Sequence, residues 1–161
     1  MKKKPLVTVL MPCYNAMPFL IEALESIINQ TYTNLEILCI NDGSTDDTGK
    51  VLERFAKQDS RVKVVHNETN LKLIKSLNKG ISLANGEYIA RMDADDIAVE
   101  DRIQVQMNYF NQNPEIDVVC SASINMTEEG KAVSQNLPRN YSPIGSLYAS
   151  FMFVPIGHPE V

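Results

Sequence analysis

A chain of 161 residues with 44% hydrophobic and 22% charged residues has ordinary globular composition, and can bury roughly 68 to 70% of its unfolded surface in one sizeable core. Its net charge of −5, with no basic cluster beyond Lys2-Lys3-Lys4, argues against nucleic acid as a partner, because few cations are available to release counterions from phosphates. The apolar stretch between Pro5 and Pro12 is too short for an export signal, and Ile144 to Gly157 falls short of the roughly 20 residues that cross a bilayer.

Short β-branched runs alternate with segments of helical period, the pattern of a βαβ sheet. Leu6 to Met11 reads as a first strand, buried on both faces and ended by Pro12. Phe19, Leu20, Ala23, Leu24, Ile27 and Ile28 form one apolar stripe of a helix that runs to about Gln30. Leu35 to Ile40 is the second strand. Val51, Leu52, Phe55 and Ala56 mark a second helix capped by Ser44 or Thr45, and Val62 to Val65 a third strand. Leu71 to Ala84 carries Leu71, Ile74, Leu77 and Ile81 as a third amphipathic helix, stopped at Asn85-Gly86 by a left-handed glycine. Glu87 to Met92 is the fourth strand. Ile103, Met107 and Phe110 then suggest a helix ending before Pro114, and Asp117 to Ser123 another strand. Glu128-Glu129-Gly130-Lys131 reads as a turn, and Leu147 to Phe153 as helix or strand. The expected fold is α/β and Rossmann-like: a mostly parallel central sheet with helices on both faces, in one domain without repeats.

Ligands of open α/β sheets bind outside the carboxyl ends of the strands. Three loops there are polar: Pro12, Tyr14 and Asn15 after the first strand, Asn41-Asp42-Gly43-Ser44-Thr45-Asp46-Asp47 after the second, and Asp93-Ala94-Asp95-Asp96 after the fourth. Three carboxylates within four residues repel one another unless they are exposed, protonated or neutralised. Mg²⁺ or Mn²⁺ would neutralise them, since hard ions take oxygen ligands and leave positions open for substrate phosphates; equally, Asp95 or Asp96 caps the next helix. Asp42 stands where it can accept hydrogen bonds from a base or a ribose, although the segment is also rich in turn formers. Tyr14 can stack on a base or simply pack. His66 and His158 are isolated and read as structural or solvent-facing. Cys13, Cys39 and Cys120 are an odd number without Cys-x-x-Cys spacing, so neither a disulfide framework nor a zinc site follows, and a reducing cytosol fits. The glycines form no Gly-x-Gly pair, and the P-loop and nucleophile-elbow patterns are missing, so dinucleotide, NTPase and serine-hydrolase chemistry are unsupported.

Val7-Thr8-Val9-Leu10-Met11-Pro12-Cys13-Tyr14-Asn15, Glu25-Ser26-Ile27, Gln30-Thr31-Tyr32, Glu36-Ile37 with Asn41-Asp42-Gly43-Ser44-Thr45-Asp46, and Asn78-Lys79-Gly80-Ile81 with Ala84-Asn85-Gly86-Glu87-Tyr88-Ile89-Ala90-Arg91-Met92-Asp93-Ala94-Asp95-Asp96 together resemble family 2 glycosyltransferases. The resemblance implies a GT-A type nucleotide-diphosphosugar fold and inverting transfer from a nucleotide-diphosphosugar, commonly a UDP-sugar, to a carbohydrate or glycolipid acceptor. It implies that Pro12, Tyr14, Asn15, Asp42, Ser44, Asn78, Arg91, Asp93 and Ala94 line the nucleotide-sugar site, with Asp42 holding the base and Asp93 near the ribose. Asp95 would be the principal metal ligand, joined by Asp93, for Mn²⁺ or Mg²⁺. Two departures stand out. Lys72 sits where many relatives have the glycine of Asn-x-Gly, and no match to the general-base carboxylate occurs before Val161. The expectation is a donor-binding part that lacks the base and much of the acceptor site, working in the cytoplasm at the inner face of the plasma membrane. The competing readings are a sugar-nucleotide nucleotidyltransferase, which would carry a Gly-rich basic loop after the first strand, a phosphoacceptor domain, which would carry Asp where His66-Asn67 stands, and a nucleotide-binding fragment without activity of its own.

Overall fold

The structure is a computed structural model and describes residues 4–127, 131–136 and 153–155. The elements are β1 (Val7–Cys13), α1 (Leu20–Ile28), β2 (Leu35–Asn41), α2 (Thr48–Gln58), β3 (Val62–His66), α3 (Leu73–Leu83), β4 (Tyr88–Arg91), α4 (Arg102–Gln112), β5 (Ser123–Met126), β6 (Ala132–Asn136) and β7 (Phe153–Pro155). The main sheet has the order β3-β2-β1-β4-β7. β1 to β4 run parallel and β7 is antiparallel to β4, so the expected mostly parallel α/β sheet is present. β5 and β6 form a separate antiparallel pair. The chain winds outward from β1 to β3 and then returns to the other side of β1, which puts the switch point, where such sheets bind ligands, between β1 and β4.

The pleat divides the core in two. Val7, Val9, Met11 and Cys13 face α1, α2 and α4 together with Leu24, Leu52, Ile103 and Phe110, whereas Leu10, Leu38, Ile40 and Ile89 face α3. Helices thus cover both faces, unequally. The second layer also holds a buried polar link: Glu36, 9% exposed, accepts from the Thr8 hydroxyl at 2.6 Å, from the Asn85 N–H at 2.9 Å and from the Asn85 amide at 2.7 Å.

Several sequence expectations are corrected. Pro12 does not end β1; it pairs with Ile40 inside the strand. The Leu10 carbonyl accepts from Met92 and the Cys13 carbonyl from Asp42, so even positions of β1 point toward β4, whose pairing stops at Arg91. The N–H that Pro12 lacks therefore falls where no neighbouring strand needs it. Phe19 is 45% exposed at the N-cap of α1 rather than in its apolar stripe. Neither Ser44 nor Thr45 caps α2, whose N-cap is Asp47. The stripe proposed for α3 is only half right: Leu77 packs against the second core layer, but Ile74 is 73% and Ile81 48% exposed, while Ser76 and Gly80 are buried. A Cβ on Gly80 would come within 2.2 Å of Leu10 Cδ1, so α3 approaches the sheet through its small residues. Gly86 is not left-handed; Ala84 already leaves the helix in an extended conformation, and a Cβ on Gly86 would lie 2.5 Å from the Thr8 nitrogen. Asp117 to Ala122 makes no ladder, and the strand begins only at Ser123. The expected turn at Glu128-Glu129-Gly130, His158, and most of Leu147 to Phe153 lie outside the described residues.

Candidate functional site

The loops after β1 and β2 are stitched together by side chains that the sequence offers as turn formers. Asn15, at φ 48° in the left-handed region that asparagine tolerates, donates its N–H to Ser44 Oγ at 3.1 Å and accepts from the Thr45 N–H at 2.8 Å. The Ala16 N–H reaches Thr48 Oγ1 at 2.9 Å, and the Met17 N–H reaches Asp46 Oδ2 at 3.2 Å. Burial raises the Asp46 carboxyl, but hydrogen bonds from Thr48 and Met17 outweigh it and hold the group below its ordinary range. Tyr14 projects from this double loop, 50% exposed, with its ring free for a planar partner.

Asp42 follows β2 directly and is 4% exposed. Its Oδ1 accepts from Asn67 Nδ2 and from the Leu71 N–H, each at 2.8 Å. Burial raises this carboxyl, yet the bonds from Asn67, Leu71, Ser76 and the Lys72 N–H outweigh it and lower its pKa on balance. The result is a sheltered anion at the carboxyl edge of the sheet, an acceptor for an N–H that has left water. Gly43 turns the chain just after it at φ 69°, and a Cβ there would meet the Thr69 carbonyl carbon at 2.7 Å. Lys72 also lies in a glycine-like conformation, φ 71° and ψ 161°.

The acidic run follows β4 across the switch point. Arg91 Nη2 donates to both oxygens of Asp93, at 2.5 and 2.7 Å. Burial first, with the charge of Asp95 opposing Arg91, leaves the Asp93 carboxyl above its usual range. Burial and the charges of Asp93 and Asp95 do the same to Asp96. Arg102, beneath the run, is buried, which lowers its pKa to about 10 against the pull of Asp96, and its Nη2 donates to the Arg91 carbonyl at 2.9 Å. Asp95 is exposed, with no hydrogen-bond partner among the described residues. Neither Asp95 nor Asp96 caps a helix, since α4 begins only at Arg102. Among the described residues no three His, Cys, Asp or Glu side chains form a metal cage. A hard divalent cation nevertheless fits the donor set: Asp95 offers a free carboxylate, repulsion and burial disfavour ionised Asp93 and Asp96, and such ions take one or two carboxylates plus substrate oxygens.

The structure gathers Tyr14, Asn15, Asp42 and Ser44 on one side of the switch point and Arg91, Asp93, Ala94 and Asp95 on the other. Pro12 is part of β1 beneath them, and Ala94 is buried. Asn78 lies on the exposed side of α3, and its neighbour Lys79 is the residue that reaches the Asp42 cluster, through Asn67. Asn67 and Ser76 were not read as site residues. The signal for Asn67 was its position just after β3, matching that of Asp42 after β2. His66 is structural: it meets Asn41 Nδ2 at 2.9 Å and Glu53 Oε1 at 2.8 Å. A separate depression of about 650 Å³, lined by Lys50, Glu53, Arg54, Lys57 and His66, lies on the outer face of α2 and shares none of these residues. Among the described residues no helix is long and apolar enough to cross a membrane.

The family model "Glycosyl transferase family 2" matches residues 8–156. A Haemophilus influenzae protein described as an uncharacterized glycosyltransferase is 48% identical over 121 residues, which are 75% of this chain and 38% of that protein. The chain thus spans about two-fifths of that relative's length. S. aureus TarS 1-349 in complex with UDP-GlcNAc superposes with a TM-score of 0.74 at 24% identity, covering 92% of this chain and 45% of that one. The mannosyltransferase PcManGT from Pyrobaculum calidifontis, in complex with GDP-Man and Mn²⁺, gives 0.69 at 19% identity, covering 96% and 45%. The fold is accordingly that of GT-A glycosyltransferases.

Proposed function

The chain belongs to glycosyl transferase family 2, and from that premise we propose that it holds a UDP-linked sugar at the carboxyl edge between β1 and β4, for transfer to an acceptor hydroxyl with inversion. The observation that carries this reading is Asp42, sheltered yet held ionised by Asn67 and Leu71 at the end of β2. A carboxylate in that state accepts a hydrogen bond from the imide N–H of uracil, and exposed Tyr14 stacks on the ring. The sugar nucleotides in the TarS and PcManGT structures support a donor site in this fold. Asn15 and Ser44, locked to each other, fix the loop that carries Tyr14. Across the switch point Asp93, oriented by Arg91, faces the ribose, and Ala94 leaves room for the donor.

Asp95, joined by Asp93, would hold Mn²⁺ or Mg²⁺, which supplies Lewis-acid neutralisation of the diphosphate as the leaving nucleotide gains charge. Arg91 and Arg102 limit the repulsion within the acidic run before the donor arrives. No described carboxylate is assigned as the general base, and the role is proposed for chain beyond the donor-binding part. The acceptor is a carbohydrate or glycolipid of a surface polysaccharide pathway, met in the cytoplasm at the inner membrane face. Calorimetry with UDP, with and without Mn²⁺, on the wild type and Asp95→Ala tests the reading. Metal should strengthen binding in the wild type and do little in the variant; UDP binding indifferent to both metal and mutation overturns it.

A further inference from the structure

Asn67 lies between two groups that can each satisfy only one end of its amide. Lys79 Nζ stands 2.7 Å from Asn67 Oδ1, and an ammonium has donors alone. Asp42 Oδ1 stands 2.8 Å from Asn67 Nδ2, and an ionised carboxylate has acceptors alone. The orientation of the amide is therefore decided by Lys79 at one end and Asp42 at the other. Its second N–H reaches Ser76 Oγ at 3.1 Å, and its backbone N–H is held by the Asn41 carbonyl at 2.8 Å. Asn67 is 7% exposed and Ser76 fully buried, so water cannot readily replace either partner.

We propose that Lys79 is a positioning residue for nucleobase selection: by fixing the Asn67 amide with its NH₂ toward Asp42, it keeps that carboxylate free of a proton and aimed to accept the imide N–H of a uracil ring. The proposal rests on the donor-site reading above. Without Lys79 one of the two groups that fix the amide is lost and Asp42 alone holds it, so the amide rotates more readily, which turns Oδ1 toward the Asp42 carboxylate. Two acceptors would then face each other at hydrogen-bond distance, and the carboxylate would move or take up a proton. A protonated or displaced Asp42 loses its preference for a base that donates from N3, as uracil does, over one that does not, as neutral cytosine does not. Lys79 touches neither base nor sugar in this scheme; it acts through Asn67.

The test measures UDP and CDP affinity by calorimetry on wild type, Lys79→Met and Lys79→Arg, with thermal unfolding of each. The expected result is a loss of about tenfold in UDP affinity for Lys79→Met, with a shrunken UDP-over-CDP ratio and a somewhat lower unfolding midpoint, since Asn67 Oδ1 loses its donor. Lys79→Arg, which keeps a donor-only cation, restores the ratio. A merely structural lysine would not move base preference. Unaltered affinity and ratio in Lys79→Met, or an equal loss in both variants, overturns the proposal. Should Lys79→Met not fold, Lys79→Gln carries the same comparison. A wild type that fails to bind UDP defeats the donor-site reading instead, whereas a wild type that binds UDP through Asp42 but ignores Lys79 defeats only this inference.

Discussion

The Thr8 hydroxyl donates a 2.6 Å hydrogen bond to Glu36 across the β1–β2 pair, and the same hydroxyl oxygen accepts the Gly86 N–H at 2.9 Å. One buried carboxylate thus joins two central strands to the entry of β4, and it sits on the sheet face that α3 covers. Glu36→Ala leaves the Thr8 hydroxyl and both Asn85 donors without their acceptor. The expected loss is about 2 to 3 kcal/mol, read as a lower urea midpoint at unchanged slope. Glu36→Gln, which keeps an acceptor oxygen, should lose less; equal losses would show that the hydrogen bonds are not the cause.

Gly86 is needed for closeness and not for its backbone freedom. Gly86→Ala drives a methyl group toward the Thr8 nitrogen and the Tyr88 carbonyl, both backbone atoms that cannot swing aside. We expect a loss of about 1 to 3 kcal/mol, the range for overpacking. A neutral result in chemical denaturation would mean that β1 and the start of β4 separate more easily than their register implies.

Lys72 pays no such steric toll to its neighbours; its strain is in its own backbone, at φ 71° and ψ 161°. That region is populated almost only by glycine and costs a side-chain-bearing residue of order 1 to 3 kcal/mol. Lys72→Gly should therefore stabilise the fold by about 1 kcal/mol once the greater freedom of glycine in the unfolded chain is subtracted, read as a higher unfolding midpoint. An unchanged or lower midpoint would refute the strain.

Asp59 is held below the ordinary carboxylate range first by the hydrogen bonds from Arg61, against a smaller opposing effect of burial. Because the folded-state pKa lies below the unfolded one, the contribution is complete above an unfolded value of about 3.9 and disappears as pH falls through the lowered folded value. The pair is only partly exposed, at 28% for Arg61 and 19% for Asp59, and is expected to contribute about 1 kcal/mol. Asp59→Asn should be less stable by that amount at neutral pH and should converge with the wild type in acid. Parallel stability curves over the whole range would rule this out.

Tyr14→Ala tests the base-stacking surface. With half of the side chain already in water, its removal should leave the unfolding midpoint in place and weaken UDP by about tenfold, the loss of one stacked base. Unchanged affinity would remove Tyr14 from the donor site.

The parts of this molecule that were legible in the sequence are those set by local pattern. Continuous apolar runs gave β1 and β2 because both faces of those strands are covered, and Ile103, Met107 and Phe110 marked α4 because that helix has one buried side. The three polar loops were found because strand ends are readable. What stayed hidden depends on partners distant in the chain. Ile74 and Ile81 of α3 point outward because Gly80 meets Leu10 in their stead, whereas apolar spacing alone would bury them. Pro12 belongs to a strand only because β4 stops short of it. Asn67, Ser76 and Lys79 become one cluster with Asp42 only when β2, β3 and α3 are brought side by side, and no spacing within one segment announces that.

The stitching of Asn15 to Ser44 and Thr45, of Ala16 to Thr48 and of Met17 to Asp46 makes residues 14–17 and 44–48 a single part. Anyone grafting a donor loop from one relative onto another must transplant both segments together, since either alone would arrive with its amide hydrogens facing the wrong acceptors.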